Sequence, residues 1–330
     1  MKRAYLVIAL FGLLSLAWRP AEQPLWYKGN THTHTINSDG DTAPDEVVRW
    51  YREHGYQFLV LSDHNFLTEV EGLNSIFAAK DKFLLLKGEE VTDRFEGKPI
   101  HLNGLNIREV VEPQHGSSVV ETVQNNVDAI RRVGGVPHVN HPNFQWAITS
   151  EHLRQVRNDK LFEVYNGHPT VHNVGGGGGE SLEEMWDAIL TAGKLIYGIA
   201  VDDAHHFKGE FSPSRSNPGR GWVVVKAEEL SAAAILSALE SGTFYASNGV
   251  SLKDYRVDAQ EMAIQIEEQQ SFRYSTHFIG EGGKVLATRH GLEAQYRFSG
   301  NEKYVRARVT DSMGHVAWLQ PVLVAAARQE

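Results

Sequence analysis

Two histidines two residues apart, His32 and His34 in Gly29-Asn-Thr-His-Thr-His-Thr35, open a series of side chains suited to holding a cation. The stretch before them is strand-like, and side chains two apart on a strand share a face, so both imidazoles can reach one ion. Asp39 follows in Ser38-Asp39-Gly40, on the loop leaving that strand. A second apolar run, Leu59–Leu61, ends in Ser62-Asp63-His64, and a third, Phe83–Leu86, ends in Gly88-Glu89-Glu90. His101 lies in Ile100-His-Leu-Asn103, His141 closes Val136-Pro-His-Val-Asn-His141, and Asp202-Asp203-Ala-His205 ends the series. Imidazole nitrogen with carboxylate oxygen suits Zn, Mn or Fe. The chain has no cysteine, which excludes thiolate ligands, thiol nucleophiles and disulfides together. One His or Asp at a strand end is more often a hydrogen-bonded surface or cap residue than a ligand. Nine such groups in one alternating segment favour a metal cluster.

The elements that must position these groups are readable between Leu25 and Gly242. Strand-like runs at Leu25–His32, Tyr56–Ser62, Phe83–Val91, Ile100–Ile107, Gly135–His141, Leu161–Asn166, Leu195–Val201 and Trp222–Val225 alternate with amphipathic helical patterns. Pro44 suits a helix start and Gly55 its end. Ser118-x-x-Glu121 and Ser181-x-x-Glu184 are capping-box patterns ahead of apolar residues at three- and four-residue spacing, and Ser231 can cap a third helix that ends at Gly242. Repeated strand–helix units predict a mainly parallel sheet, closed into a barrel in preference to a doubly wound sheet. At one end of such a barrel the strand ends converge, and with them the metal-ligating residues.

After Gly242 the texture changes to alternation with short turns, as in Met262, Ile264 and Ile266 or Val305, Ala307 and Val309. This predicts an antiparallel β-sandwich over residues 243–330, following a barrel over 25–242. Five consecutive glycines, Gly175–Gly179, lack the spacing of a phosphate-binding loop and predict a flexible loop. At the other end of the chain, Lys2-Arg3 precede the apolar run Ala4–Leu16, with Ser15-Leu-Ala17 as a cleavage site. That run suits a signal peptide over residues 1–17, since a spanning helix needs about 20 apolar residues. An exported protein, periplasmic or secreted, with no stable membrane insertion after signal removal is the expectation. Loss of Lys2 and Arg3 takes the formal charge from −9 to −11. So acidic a chain, with no basic block, is a poor partner for duplex nucleic acid.

The ordered set His32-Thr-His34, Ser38-Asp39-Gly40, Asp63-His64, Gly88-Glu-Glu90, His101, Asn140-His141-Pro142 and Asp203-Ala-His205 resembles the polymerase and histidinol phosphatase (PHP) superfamily of metal-dependent phosphoesterases. The resemblance spans Gly29 to Glu240. The export segment and β-rich tail, with Gly242-Thr-Phe-Tyr-Ala-Ser-Asn-Gly249 and Ala317-Trp-Leu-Gln-Pro321, look more like its secreted branch, named for the carbaryl hydrolases CehA and McbA. The resemblance implies a distorted (β/α)7 barrel with two or three divalent ions. It implies that His32 and His34 hold one ion with Glu90 and Asp203, that Glu90 bridges to a second held by His101 and His141, and that Asp39, His64 and His205 hold a third. Glu89 competes with Glu90, and the family's Gly-x-Glu spacing favours Glu90. Asp63, Asp202, Asn140 and Glu163 are expected to orient imidazoles.

Two ions sharing a carboxylate lower the pKa of a bridging water and stabilise charge on a phosphoryl or carbonyl oxygen. The expected activity is cleavage of phosphate monoesters or diesters, on a small molecule or an oligonucleotide end, with no protein nucleophile. Amide or carbamate ester hydrolysis at the same ions is the alternative. A non-catalytic metal- or glycan-binding protein is the reading from another class. A Ser-His-Asp hydrolase is disfavoured because no Gly-x-Ser-x-Gly elbow occurs. Arg215 and Arg220 are candidate contacts to a substrate anion.

Overall fold

The computed structural model describes residues 25–80 and 82–324; the expected signal segment, residues 1–17, lies outside them. The chain runs β1 (Leu25–Asn30), α1 (Pro44–Glu53), β2 (Phe58–Leu61), α2 (Glu71–Phe77), β3 (Leu84–Phe95), β4 (Lys98–Leu105), α3 (Val119–Arg132), β5 (Val136–Val139), α4 (Ser150–Leu153), β6 (Leu161–Asn166), α5 (Leu182–Thr191), β7 (Tyr197–Val201), β8 (Trp222–Ala227) and α6 (Ala232–Ser241). Eight further strands belong to the described part of the tail: β9 (Phe244–Ser247), β10 (Leu252–Val257), β11 (Glu261–Ile266), β12 (Tyr274–Gly280), β13 (Lys284–His290), β14 (Glu293–Arg297), β15 (Tyr304–Asp311) and β16 (Val316–Leu323). Among the described residues no helix is long and apolar enough to cross a membrane.

Local chemistry accounts for the helix ends. Pro44 stands in the first turn of α1, where its missing N–H costs nothing. Ser118 accepts from the Glu121 amide to cap α3, and Ser181 and Glu184 form both halves of a capping box on α5. Ser231 caps α6, which ends on Gly242 at φ 73°. A side chain at 242 would also meet the Tyr197 ring at 2.4 Å, so glycine is required there twice over.

β1, β2 and β3 are parallel neighbours, and so are β5, β6 and β7. β4 runs antiparallel to both β3 and β5. A tight β3–β4 hairpin therefore replaces one strand–helix crossover, and the strand carrying His101 is reversed relative to a uniform (β/α) repeat. Two periodic faces separate cleanly. Phe58 and Val60 of β2 join Leu86, Leu105, Leu161 and Ile199 in one buried cluster, to which α6 adds Ile235, Leu236 and Leu239. Leu59 and Leu61 point the other way, onto Val47, Val48 and Tyr51 of α1. Val123, Val127 and Ile130 of α3 are fully buried against the opposite outer flank, each worth about 1.5–3 kcal/mol of transfer.

The sheet closes at one end only. Beyond β1 the His34 amide donates to the Ala204 carbonyl (2.9 Å), the Asp203 amide donates to the His32 carbonyl (3.1 Å), and Thr33 bridges Ala204 in parallel. Nearer its start the same edge of β1 pairs antiparallel with β8. There β7 finds another partner. The Gln320 side chain of β16 accepts from the Gly198 amide (2.9 Å) and donates to the Gly198 carbonyl (2.8 Å), replacing the ladder a neighbouring strand would give.

The tail forms a two-sheet sandwich. Strands β10, β11 and β14 make one layer, while β13-β12-β15-β16-β9 continue through β8 into β1 as one unbroken sheet. The sandwich therefore shares a sheet with the barrel, and residue 243 falls just before the strand that joins them. A buried ion pair fixes the second contact. Arg306 of β15 is 1 % exposed, donates to both oxygens of Asp187 on α5 at 2.7 Å, and lies over the Trp186 ring.

Candidate metal centre

Every parallel strand of the barrel delivers its polar residues at the closed rim. β1 leads into His32 and His34, β2 into Asp63 and His64, β5 into Asn140 and His141, and β7 into Asp202, Asp203 and His205. β3 passes Glu90 along its length, and reversed β4 returns His101 opposite Thr92. His141 (φ 24°), Asp203 (φ 50°) and Asn65 (φ 45°) adopt left-handed backbone where the chain leaves its strands. That conformation is uncommon outside glycine and clusters at functional sites.

The structure brings His32, His34, Asp39, His64, Glu90, His101, His141, Asp203 and His205 into one cluster of four overlapping ligand sets. Glu90 is its hub. Its Oε1 lies 3.0 Å from His101 Nδ1 and 3.3 Å from His141 Nε2, and its Oε2 lies 3.2, 3.3 and 3.1 Å from His32, His34 and His64. Asp203 Oδ1 is 3.3 and 3.2 Å from the Nε2 atoms of His32 and His34. Asp39 sits between His205 (3.3 Å), His34 and His64 (both 3.6 Å). The cluster is buried at His32, His34 and Glu90, while the Asp39 side chain is 56 % exposed. Solvent therefore reaches it from the Asp39–His64 side.

Four imidazoles are pinned through Nδ1. His32 donates to Glu163 (2.6 Å), and His205 donates to the Asp203 carbonyl (2.9 Å). His34 faces Ser38 Oγ (3.3 Å), whose hydroxyl is already donated to Asp63, and His64 faces Thr92 Oγ1 (2.5 Å), whose hydroxyl goes to the Glu90 carbonyl. His32, His34 and His205 are thereby left with their Nε2 lone pairs aimed inward, whereas His64 also holds its Nδ1 3.1 Å from Glu90 and turns its Nε2 to Asp39. The Nε2 atoms of His32 and His34 stand 3.1 Å apart and face two carboxylates. Lone pairs and anions converging at that spacing demand positive charge, so the donor set fits divalent cations.

The electrostatics agree. Burial would push the Glu90 and Asp203 carboxyls up, but the surrounding histidines, His64 and His32 first for Glu90 and His32 for Asp203, hold both well below the usual range. Burial opposes charge on His64, yet Glu90 and Asp39 hold it up at about 9. Burial lowers His101 despite Glu90 beside it.

The supporting residues divide differently from the sequence-based expectation. Glu163 does orient an imidazole, holding His32 with one oxygen and the His141 amide with the other (2.6 Å). Asn140 instead holds the Glu90 carboxylate (2.9 Å). Asp63 touches no imidazole: it accepts from the Thr35 amide and from the hydroxyls of Thr35, Ser38 and Thr68, and so fixes the loop carrying Asp39. Asp202 likewise holds backbone, accepting from the Tyr51 hydroxyl and the amides of Arg220 and Gly221. Glu89 points away from Glu90, as alternation on a strand requires, and accepts the Val111 amide. Its second oxygen has no hydrogen-bond partner among the described residues, and burial pushes its carboxyl up to about 7.

Neither candidate arginine is aimed at the cluster. Arg220 spends its guanidinium on the Gly167 and Ser212 carbonyls, and Arg215 pairs with Asp41 at 3.5 Å. The glycine run is a tight hairpin, Gly176 bridging Gly179, and its flanks are tied down. Asn143 donates to the His172 and Glu180 carbonyls, and Glu180 accepts from Ser150.

Several site residues escaped the sequence. His168 lies edge-on to His205 (5.4 Å between ring centroids), and Asn166 bridges Glu163 and Asp203. Both follow the strand-end pattern at β6 and were readable from it. His138, buried beside His32 and pushed by burial down to about 4, gave no such signal.

No family model matches the chain. It is 34 % identical over 80 residues, 24 % of its length, to a 5′-3′ exoribonuclease of Haemophilus influenzae. It is 28 % identical over 145 residues, 40 % of its length, to an uncharacterized protein of Methanocaldococcus jannaschii. These matches cover 28 % and 65 % of the two relatives' own lengths. A solved structure from Bacteroides vulgatus, a two-domain protein containing a predicted PHP-like metal-dependent phosphoesterase, is similar over 94 % of this chain and 97 % of that one, with a TM-score of 0.49 and 17 % identity.

Proposed function

We propose that this chain is a PHP-type metal-dependent hydrolase that cleaves phosphate esters, with a small phosphoester or an oligonucleotide end as substrate. One observation carries the reading: the Glu90 carboxylate stands 3.0–3.3 Å from nitrogens of five histidines, with Asp203 closing the other side of the His32–His34 pair. Divalent cations held there, whether Zn, Mn or Fe, would lower the pKa of water and offset the charge developing on a phosphoryl oxygen. The protein's part is preorganisation. Glu163, Ser38, Thr92 and the Asp203 carbonyl fix four rings through Nδ1, Asn140 fixes Glu90, and Asp63 fixes the loop of Asp39. Held this way, the groups do not reorganise as charge develops. The match to an exoribonuclease supports a phosphoester substrate. Export by the segment 1–17 and kinship with the secreted CehA and McbA branch belong to the same proposal and rest on the sequence resemblance.

The test is elemental analysis of the purified protein with hydrolysis of bis-p-nitrophenyl phosphate before chelation, after it, and after metal return. Two or three ions per chain with chelator-sensitive turnover is the expected result. His34→Ala and Asp203→Ala should each abolish turnover with the fold retained. Bound metal with cleavage of aryl carbamates or amides alone would overturn the phosphoester assignment, and a metal-free active protein would overturn the whole reading.

A further inference from the structure

The cluster opens beside a cavity of about 340 Å³ between the β3–β4 hairpin and the turn 144–146. His64 and His101 form its inner wall, and Thr92, Asp93, Arg94, Phe144 and Gln145 are among the residues that line the rest. Glu90, Thr92 and Arg94 alternate along β3 and so present one face, the face that carries the hub carboxylate. Across the hairpin Thr92 stands opposite His101 and Arg94 opposite Pro99. Arg94 is exposed, its backbone amide donates to Asp93, and among the described residues its guanidinium has no carboxylate partner. Asp93, the acid next to it, is already bonded to His115 and Asn126.

The opposite wall is held at a cost. Gln145 (φ 51°) and Trp146 (φ 55°) are consecutive left-handed residues, which present Phe144 edge-on to His141 at 5.3 Å. Trp146 stacks on His172 at 4.5 Å with the rings 3° from parallel. Gly179 closes over the same indole, where a Cβ would stand 2.3 Å from the ring. The glycine hairpin thus clamps the turn, and strain of this kind persists only where the surroundings impose it.

We propose that this cavity is the leaving-group subsite, and that it selects phosphate esters whose leaving group combines an aromatic ring, packed on Phe144, with a second anionic group paired to Arg94. This deepens the phosphoesterase reading and rests on it. An exposed guanidinium facing a cavity in an acidic protein supplies planar, two-pronged anion recognition, and the flanking ring supplies apolar area.

The experiment measures binding of methylphosphonate, phenylphosphonate and 3-phosphonobenzoate to the metal-replete protein by calorimetry, with hydrolysis of the corresponding phosphate esters in parallel. The expected order is 3-phosphonobenzoate about tenfold tighter than phenylphosphonate, and phenylphosphonate tighter than methylphosphonate. Arg94→Ala should remove the first gap and leave phenylphosphonate binding unchanged within twofold. Phe144→Leu should shrink the second gap, and Gly179→Ala should do so through Trp146 without touching the cavity. A first gap that is absent from wild type, or that survives in Arg94→Ala, overturns the subsite. An Arg94-dependent gap without hydrolysis of any phosphate ester supports the subsite and counts against the phosphoesterase chemistry instead.

Discussion

Glu163 holds His32 by its Nδ1–H at 2.6 Å, and both side chains are fully buried. The carboxylate fixes the ring's tautomer and raises the basicity of the Nε2 that faces Glu90 and Asp203. Glu163→Gln keeps the shape but loses the charge. Metal affinity or turnover should fall about 10- to 100-fold, with an unchanged circular dichroism spectrum. Competition with a chromogenic chelator gives the affinity directly, and wild-type affinity would show that the pair is merely structural.

Cations and protons compete for the cluster. Since Glu90 and Asp39 hold His64 protonated up to about 9, metal binding near pH 7.5 should expel protons. Calorimetric titration in buffers of different ionisation enthalpy counts them. Proton release should diminish as pH rises past 9, and the thermal midpoint should drop on chelation and return with metal. Binding at about 100 times Kd adds about 2.7 kcal/mol.

Lys28 tests burial elsewhere. Its ammonium lies 4.0 Å from the ring centroids of both Tyr56 and Trp222. Burial, opposed by Asp202, lowers its pKa from 10.5 to about 8. Below pH 8 both folded and unfolded chains carry the proton, so the folded state bears the full cost of the buried charge. Between 8 and 10.5 the unfolded chain binds more protons, and stability rises with pH over that window. Lys28→Met should stabilise the protein by about 1–3 kcal/mol at pH 7 and abolish the rise. Denaturant midpoints at pH 7 and 9.5 measure both effects, and an unchanged pH slope would refute the assignment.

Gln320 completes the sheet where β7 lacks a strand. Gln320→Leu strips partners from the buried amide and carbonyl of Gly198. Two orphaned groups at about 1–3 kcal/mol each should cost about 2–5 kcal/mol in urea unfolding. A loss below 1 kcal/mol would mean that the seam is hydrated.

Arg306 anchors the tail to the barrel through Asp187. Arg306→Met leaves that acid without its counterion and should cost about 3–5 kcal/mol, whereas pairing it with Asp187→Leu should recover most of the loss. Thermal denaturation of the two variants decides it. Equal losses would show that the ion pair contributes no coupling.

Much of this molecule was legible in one dimension. The helix caps at Ser118, Ser181 and Ser231, the strand runs and the apolar alternation of the tail all follow from interactions within a few residues. The nine clustered side chains were legible for a related reason. Their donor chemistry is fixed by residue type, and their places at strand ends follow from the same short-range pattern. That pattern alone could not choose between Glu89 and Glu90, because adjacent residues differ only in the face they present, and the register of β3 against its neighbours sets the face.

Long-range pairing decided the rest. β4 reverses because a tight hairpin brings it back beside β3, and only this returns His101 to the rim. Asp63, Asp202 and Arg220 meet backbone groups and hydroxyls supplied largely by other loops and elements, so their partners depend on how those segments pack. Gln320 and Gly198 lie 122 residues apart, and the seam they close exists only once β8 has drawn the tail's sheet onto β1. Residue types and short-range pattern alone set which atoms can bind cations and roughly where strands present them. Tertiary structure alone determined which groups touch, because each contact depends on the register and closure of a sheet built from segments distant in sequence.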